Sequence, residues 1–252
     1  MGKYVFVRVI AVAVFLAFAS APSSAQTPCS SGICVLTWQN DTYRTGDNLS
    51  ETTITPSSIT TDNFGKLCSA NLDGQVFAQP LVVTNVKIGS TTWPSVVYVV
   101  TENDTLYAID GNPQDGKAPC GILNGNGSGT SLLKFLPAGQ HTVHCHDVSD
   151  CGAIDPWIGI LGTPVIDTSG STGTMYLITE TEDSTPNLYH YLHAIDIGSF
   201  AEPSGSPVLV ALPGSTPAQV AIFSKNHIQR PGLLFVNCGA GCTRTTCTLP
   251  SR

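Results

Sequence analysis

Ser95 to Asp110 reads SVVYVVTENDTLYAID. Val96 to Val100 is a run of β-branched and aromatic residues, Glu102, Asn103 and Asp104 interrupt it with turn chemistry, and Leu106 to Ile109 is a second apolar run closed by Asp110-Gly111. Two strand-forming runs around a short polar turn predict a β-hairpin. Gly173 to Asp196, GTMYLITETEDSTPNLYHYLHAID, is a degenerate copy. Tyr176 answers to Tyr98, Thr179-Glu180 to Thr101-Glu102, and Ala194-Ile195-Asp196 to Ala108-Ile109-Asp110. The chain is read as a repeat protein.

Outward from the hairpins the runs fall into sets of four. Phe77–Thr84, Val96–Thr101, Thr105–Ile109 and Leu132–Leu136 make the first, over about 77–136. Ile160–Ile166, Thr174–Thr179, Tyr189–Ile195 and Pro207–Leu212 make the second, over about 160–212, and a third begins at Arg230. A long irregular loop, Pro137–Pro156, separates the first two. Sets of four short strands joined by hairpins predict an all-β chain, an incomplete β-propeller built from four-stranded antiparallel blades. A β-sandwich also uses short strands, but the recurring Ala-Ile-Asp argues against it. Phe64–Leu72 reads as a strand ahead of the first set, where a ring-closing strand would stand. As an unpaired edge it would favour association.

The chain opens with Lys3 and Arg8, an apolar run from Val9 to Ala19, and small residues to Ala25. That is the pattern of a secretory signal peptide over 1–25, and the run is shorter than the roughly 18 to 20 residues that span a bilayer. Residues 26–63 read as an irregular N-terminal segment, 64–236 as the partial propeller, and 237–252 as an atypical cysteine-rich tail. The expected address is secreted or periplasmic, with no membrane insertion after cleavage. Cleavage would remove two basic residues and no acid, moving the formal net charge from −7 to −9. An acidic chain with no basic cluster argues against nucleic acid. An exported compartment permits disulfides, and Cys29 with Cys34 and Cys145 with Cys151 are the closest pairs in sequence.

The chain resembles the pyrroloquinoline-quinone-type β-propellers, the quinoprotein alcohol dehydrogenase-like fold, and within them secreted bacterial members. The phrases that carry the likeness are Asn40-Asp-Thr-Tyr-Arg-Thr-Gly46, Phe64-Gly-Lys-Leu67, Asp73-Gly-Gln-Val-Phe-Ala-Gln-Pro-Leu81, Gly159 to Asp167, His193-Ala-Ile-Asp196 and Gln229-Arg-Pro-Gly-Leu233. The resemblance implies six to eight blades, of which this sequence holds too few to close a ring, so it reads as a fragment. It departs from the family in two ways. The tryptophan that docks blades together is missing, Cys120 standing at its place, and there is no Cys-Cys dipeptide of the kind that catalytic members place beside the quinone. The expectation is therefore a non-catalytic exported propeller acting as a binding or surface-interaction scaffold, with no cofactor and with protein or carbohydrate as the open choice of partner. The alternative is a fragment of a quinone-dependent alcohol or sugar dehydrogenase, and only that alternative calls for pyrroloquinoline quinone and Ca²⁺.

The densest set of metal-ligand types is His141, His144, Cys145, His146, Asp147, Asp150 and Cys151. His141, His144 and His146 are the candidate ligands, although the spacing fits no established zinc template, and a loop stapled by Cys145–Cys151 is the competing reading. Asp110 and Asp196 recur at strand ends and are expected to accept backbone N–H groups in Asx-turns. Glu102, Glu180, Glu182 and Asp183 sit in or near hairpin turns and are expected to be solvated. No nucleophile elbow and no phosphate-binding loop occurs in the sequence.

Overall fold

A computed structural model describes residues 29–236 apart from 31, 49–50, 53, 61–63, 113–119, 124–132, 149–150, 186, 213, 217 and 221–226. The expected signal peptide and the cysteine-rich tail lie outside the described residues.

The first set forms a four-stranded antiparallel sheet: β1 (Leu81–Ile88), β2 (Thr91–Val100), β3 (Thr105–Asp110) and β4 (Leu133–Lys134), paired in that order. In the β2–β3 hairpin Val96 faces Asp110, Tyr98 faces Ala108 and Val100 faces Leu106. Asp104 takes the left-handed conformation (φ 53°) that the turn needs, which a short polar side chain tolerates. β1 and β2 are longer than their apolar runs, because the ladder continues to Ile88–Thr91 across Gly89-Ser90. It skips Asn85 and Pro94, since a proline has no N–H to give.

The second sheet is built on the copied hairpin. Its elements are β5 (His141–His144), α1 (Cys145–Val148), β6 (Trp157–Ile158), β7 (Val165–Asp167), β8 (Thr174–Glu182), β9 (Leu188–Asp196) and β10 (Val208–Leu209). The strand order is β10-β9-β8-β5-β6, with β7 also on β8. Tyr176 faces Ala194 and Thr174 faces Asp196, the register of the first hairpin. The run expected at 160–166 is a strand only over β7, and the expected irregular loop 137–156 carries β5 and α1. β5 joins the sheet by setting His141 opposite Glu182 and Thr142 opposite Thr181.

The two sheets pack face to face. Val96, Tyr98, Val100, Leu106 and Ala108 share one buried cluster with Met175, Leu177, Ile195 and Ile197. The Tyr98 hydroxyl donates to the Ile197 carbonyl at 2.8 Å, so a buried phenol keeps a partner. Alternation along a strand then fixes where the copied tyrosine goes. Tyr176, next to inward-facing Met175 and Leu177, points away from the first sheet and stacks on Phe235 at 5.9 Å. Equivalent faces therefore point the same way, and the repeats pack head to tail. The other face of the first sheet, with Val99, Tyr107 and Ile109, is covered by Ala70, Leu72, Cys120 and Ile122, and Cys68 and Cys120 lie at disulfide distance.

The segment 64–72 is not a strand. Phe64 and Leu67 are 70% and 80% exposed, and Ala70 and Leu72 lie across a sheet face instead of along an edge, so the expected association through this edge loses its basis. The segment from 230 to 236 also forms no strand ladder; its Leu233 N–H donates to the Thr163 carbonyl. The described residues form an all-β structure without a closed barrel or propeller. Among them no helix is long and apolar enough to cross a membrane.

Candidate functional site

Three segments that precede apolar runs each carry a proline: Gln79-Pro80-Leu81, Thr163-Pro164-Val165 and Arg230-Pro231-Gly232-Leu233. The fold lines them up. Gln79 N–H donates to Thr163 Oγ1 at 2.9 Å, and Leu233 N–H to the Thr163 carbonyl at 2.9 Å. Gly162 is needed in this row, because a Cβ there would sit 2.7 Å from the Pro231 carbonyl oxygen. The N-terminal segment is laid over the same place. Val35 exchanges two backbone hydrogen bonds with Val82, the Leu36 carbonyl accepts from Ile166 N–H, and Thr37 Oγ1 donates to the Leu233 carbonyl.

Arg44 locks this crossing. Its Nη1 donates to the Trp38 carbonyl (2.9 Å) and Thr37 Oγ1 (3.1 Å), and its Nη2 to the Leu233 carbonyl (2.8 Å). The guanidinium also lies 5.5 Å from the centre of the Trp38 ring, within cation–π range. Beside the crossing is a cleft of about 320 Å³ whose walls include Trp38, Arg44, Phe77, Thr163 and Arg230. That volume is at the lower end of small-ligand sites. Trp38 stays 40% exposed and Arg230 is exposed, while Thr163 is buried in the floor. An aromatic wall, a free guanidinium and a hydroxyl suit binding; the cleft holds no nucleophile–base pair.

A second polar group lies between the sheets. Glu102, Glu180 and Glu182, expected to be solvated, are at most 4% exposed, and Asp104, in the same turn as Glu102, is fully buried. The β2–β3 turn tucks under Gly159, where a Cβ would meet the Glu102 carbonyl at 2.5 Å and the Asp104 carboxylate at 2.6 Å. Burial pushes the Asp104 carboxyl well above its ordinary range; Thr142 opposes this and Glu180 adds to it. No hydrogen bond of ordinary geometry reaches either Asp104 oxygen. Burial also raises Glu180, opposed by His190 at 3.2 Å, and raises Glu182 and Glu102. Of the four acids expected to be solvated, only Asp183 is not buried. Its carboxyl is held below the usual range, first by Thr185. Nearby, His193 bridges Thr179 Oγ1 and Glu202 Oε1, each at 2.9 Å, and burial keeps its imidazole below the ordinary value against the pull of Glu202. Thr179 and His193 are buried and the Glu202 side chain is 24% exposed, so the line runs from the interior to the surface at Glu202.

The candidate metal ligands separate. His144 and His146 stack at 5.0 Å, whereas His141 lies across β5 and pairs with Glu182 at 3.6 Å. The Cys151 sulfur is within ligand range of His144 and His146, but Cys151 lies at disulfide distance from Cys145. His144 Nδ1 accepts from the His146 N–H at 3.3 Å. Cys29 and Cys34 lie at disulfide distance as well. Asp110 accepts from Asn112 N–H, and Asp196 from Gly198 and Ser199 N–H, the expected Asx geometry.

No family model, no curated protein and no solved structure matches the chain. Trp38, Arg44 and Arg230 escaped sequence reasoning as site residues. Arg44 and Arg230 sit in two of the phrases quoted above, Asn40–Gly46 and Gln229–Leu233, yet nothing in either phrase says that the two line one cleft.

Proposed function

We propose that the chain is an exported, propeller-type binding scaffold without catalytic activity, whose ligand enters the cleft at the crossing of the three proline segments. The observation that carries this reading is the row Gln79–Thr163–Leu233. Gln79 and Thr163, each directly before its proline, are neighbours there, as equivalent positions of successive repeats are around a propeller axis, and the third segment joins at Leu233, two residues past Pro231. Head-to-tail packing of the hairpins supports the same reading, since it leaves the Tyr176 face as the place for a further repeat. The quinone-dependent dehydrogenase reading is less well supported. The chain has no adjacent cysteines, and the described clusters of potential ligands, His144-His146-Cys151 and Cys145-Cys151-Asp155, offer a single carboxylate between them where Ca²⁺ takes oxygen ligands.

Three measurements test this. N-terminal sequencing of the exported protein should begin at Gln26. Pyrroloquinoline quinone with Ca²⁺ should give no dye-linked alcohol oxidation above background; turnover would replace this reading with the dehydrogenase one. A panel of soluble polysaccharides and oligosaccharides should contain at least one that the mature chain retains and Trp38→Ala does not. Retention unaffected by Trp38→Ala would move the site away from the cleft.

A further inference from the structure

Among the described residues nothing balances the charge of the cleft. Two of the 11 basic residues in an acidic chain, Arg44 and Arg230, line it, and no described acidic side chain does. Among the described residues no carboxylate lies within ion-pair distance of either guanidinium. Arg44 is committed to Thr37, Trp38 and Leu233, which fix its orientation but supply only dipoles. Arg230 makes no hydrogen bond or ion pair with any described residue, so its planar fork is open. The rings of Trp38 and Phe77 line the same cleft. Thr163 Oγ1 already accepts from Gln79, which leaves its hydrogen to donate into the cleft.

Resting on the binding-scaffold reading, we propose that this cleft binds a small ring bearing a carboxylate. The ring lies on the aromatic wall and the carboxylate takes two parallel N–H bonds from Arg230, with the fixed charge of Arg44 adding attraction. Paired guanidinium–carboxylate bonds are the strongest polar contacts open to such a site, and an aromatic wall suits the flat face of a sugar or a benzene ring. That chemistry is shared by an acidic sugar and an aromatic acid.

Calorimetry on the whole mature chain with galacturonate, benzoate and neutral galactose tests the proposal and separates the two sources. At least one acid should bind about tenfold or more tightly than galactose. Arg230→Ala, an exposed change that removes no hydrogen bond or ion pair with a described residue, should weaken that acid by about tenfold or more while leaving the circular dichroism spectrum unchanged. Raising NaCl from about 50 to about 500 mM should weaken it further. Galacturonate alone would identify the acidic-sugar source, and benzoate alone the aromatic one. Equal binding of galactose and galacturonate, or an acid indifferent to Arg230→Ala, would overturn the carboxylate inference and leave a binding cleft standing. No binding of either acid, while a neutral glycan is still lost in Trp38→Ala, would do the same. Loss of all retention by the cleft, or quinone-dependent turnover, would sink the scaffold reading beneath it.

Discussion

The β2–β3 and β8–β9 hairpins share a register residue for residue, yet they live in different surroundings. Tyr98 is 2% exposed, inside the core, with its hydroxyl on a carbonyl of the other sheet; Tyr176, at the same register position, is half-buried against a single ring. One face of the first sheet is closed by a segment tied through Cys68 and Cys120, whereas Tyr176, on the face of the second sheet turned away from the first, stacks on Phe235. Pairing is thus a local property of the repeated sequence, whereas burial depends on what lies on each side of the repeat.

The widest difference is expected at the tyrosines. Tyr98→Ala should cost about 3–5 kcal/mol in urea unfolding, the range for deleting a buried aromatic ring, and Tyr176→Ala about 1 kcal/mol. Equal costs would break the comparison. Next comes the cover of the first sheet. Cys68 and Cys120 are 52 residues apart and Cys29 and Cys34 only 5. Loop-closure entropy makes Cys120→Ser worth about 4 kcal/mol and Cys34→Ser about 2 kcal/mol, read as a shift of the urea midpoint.

A smaller effect comes from the turn between the sheets. Asp104 has a raised folded pKa, so its ionised form destabilises the fold above the ordinary value of 3.8, and that cost is relieved as pH falls from the raised value toward 3.8. Asp104→Asn should therefore be more stable than the parent by about 1–3 kcal/mol at pH 7, with the difference vanishing near pH 4. His193, kept neutral by burial, changes stability in the opposite direction below its ordinary 6.5 in both proteins and drops out of the difference. The smallest contrast is at the strand ends. Asp196 accepts from Gly198 N–H, Ser199 N–H and Oγ, and Thr172 Oγ1, while Asp110 accepts from Asn112 N–H. Asp196→Ala should cost about 1 kcal/mol more than Asp110→Ala in thermal unfolding.

The hairpins were legible because a period of two and turn chemistry are local signals. Val96–Val100 and Leu106–Ile109 could hardly form anything else, and the Asx role of Asp110 and Asp196 follows from their place after a strand. What escaped depends on distant chain segments. Phe64–Leu72 has a strand-like composition but no free edge to join, so it became a cover. His141–His144 looked like loop until β8 offered it an edge. Glu102 is a turn residue that packing against the second sheet buries, and nothing near it in sequence reports that sheet; Glu180 lies inside β8 opposite His190, because β8 and β9 run on past the place where the first hairpin turns. Arg44 and Arg230 line one cleft across 186 positions of sequence, a distance at which spacing carries no information about proximity.

Head-to-tail packing of the two repeats is tested most directly by nuclear Overhauser contacts in the mature chain labelled at the Tyr and Phe rings and at the Met, Ile, Leu and Val methyl groups. The Tyr98 ring should show cross-peaks to the methyls of Met175 or Ile197, and the Tyr176 ring should show them to neither Val100 nor Leu106 but to the ring of Phe235. A Tyr176 ring in contact with the first sheet, or a Tyr98 ring without contacts to the second, would contradict the arrangement.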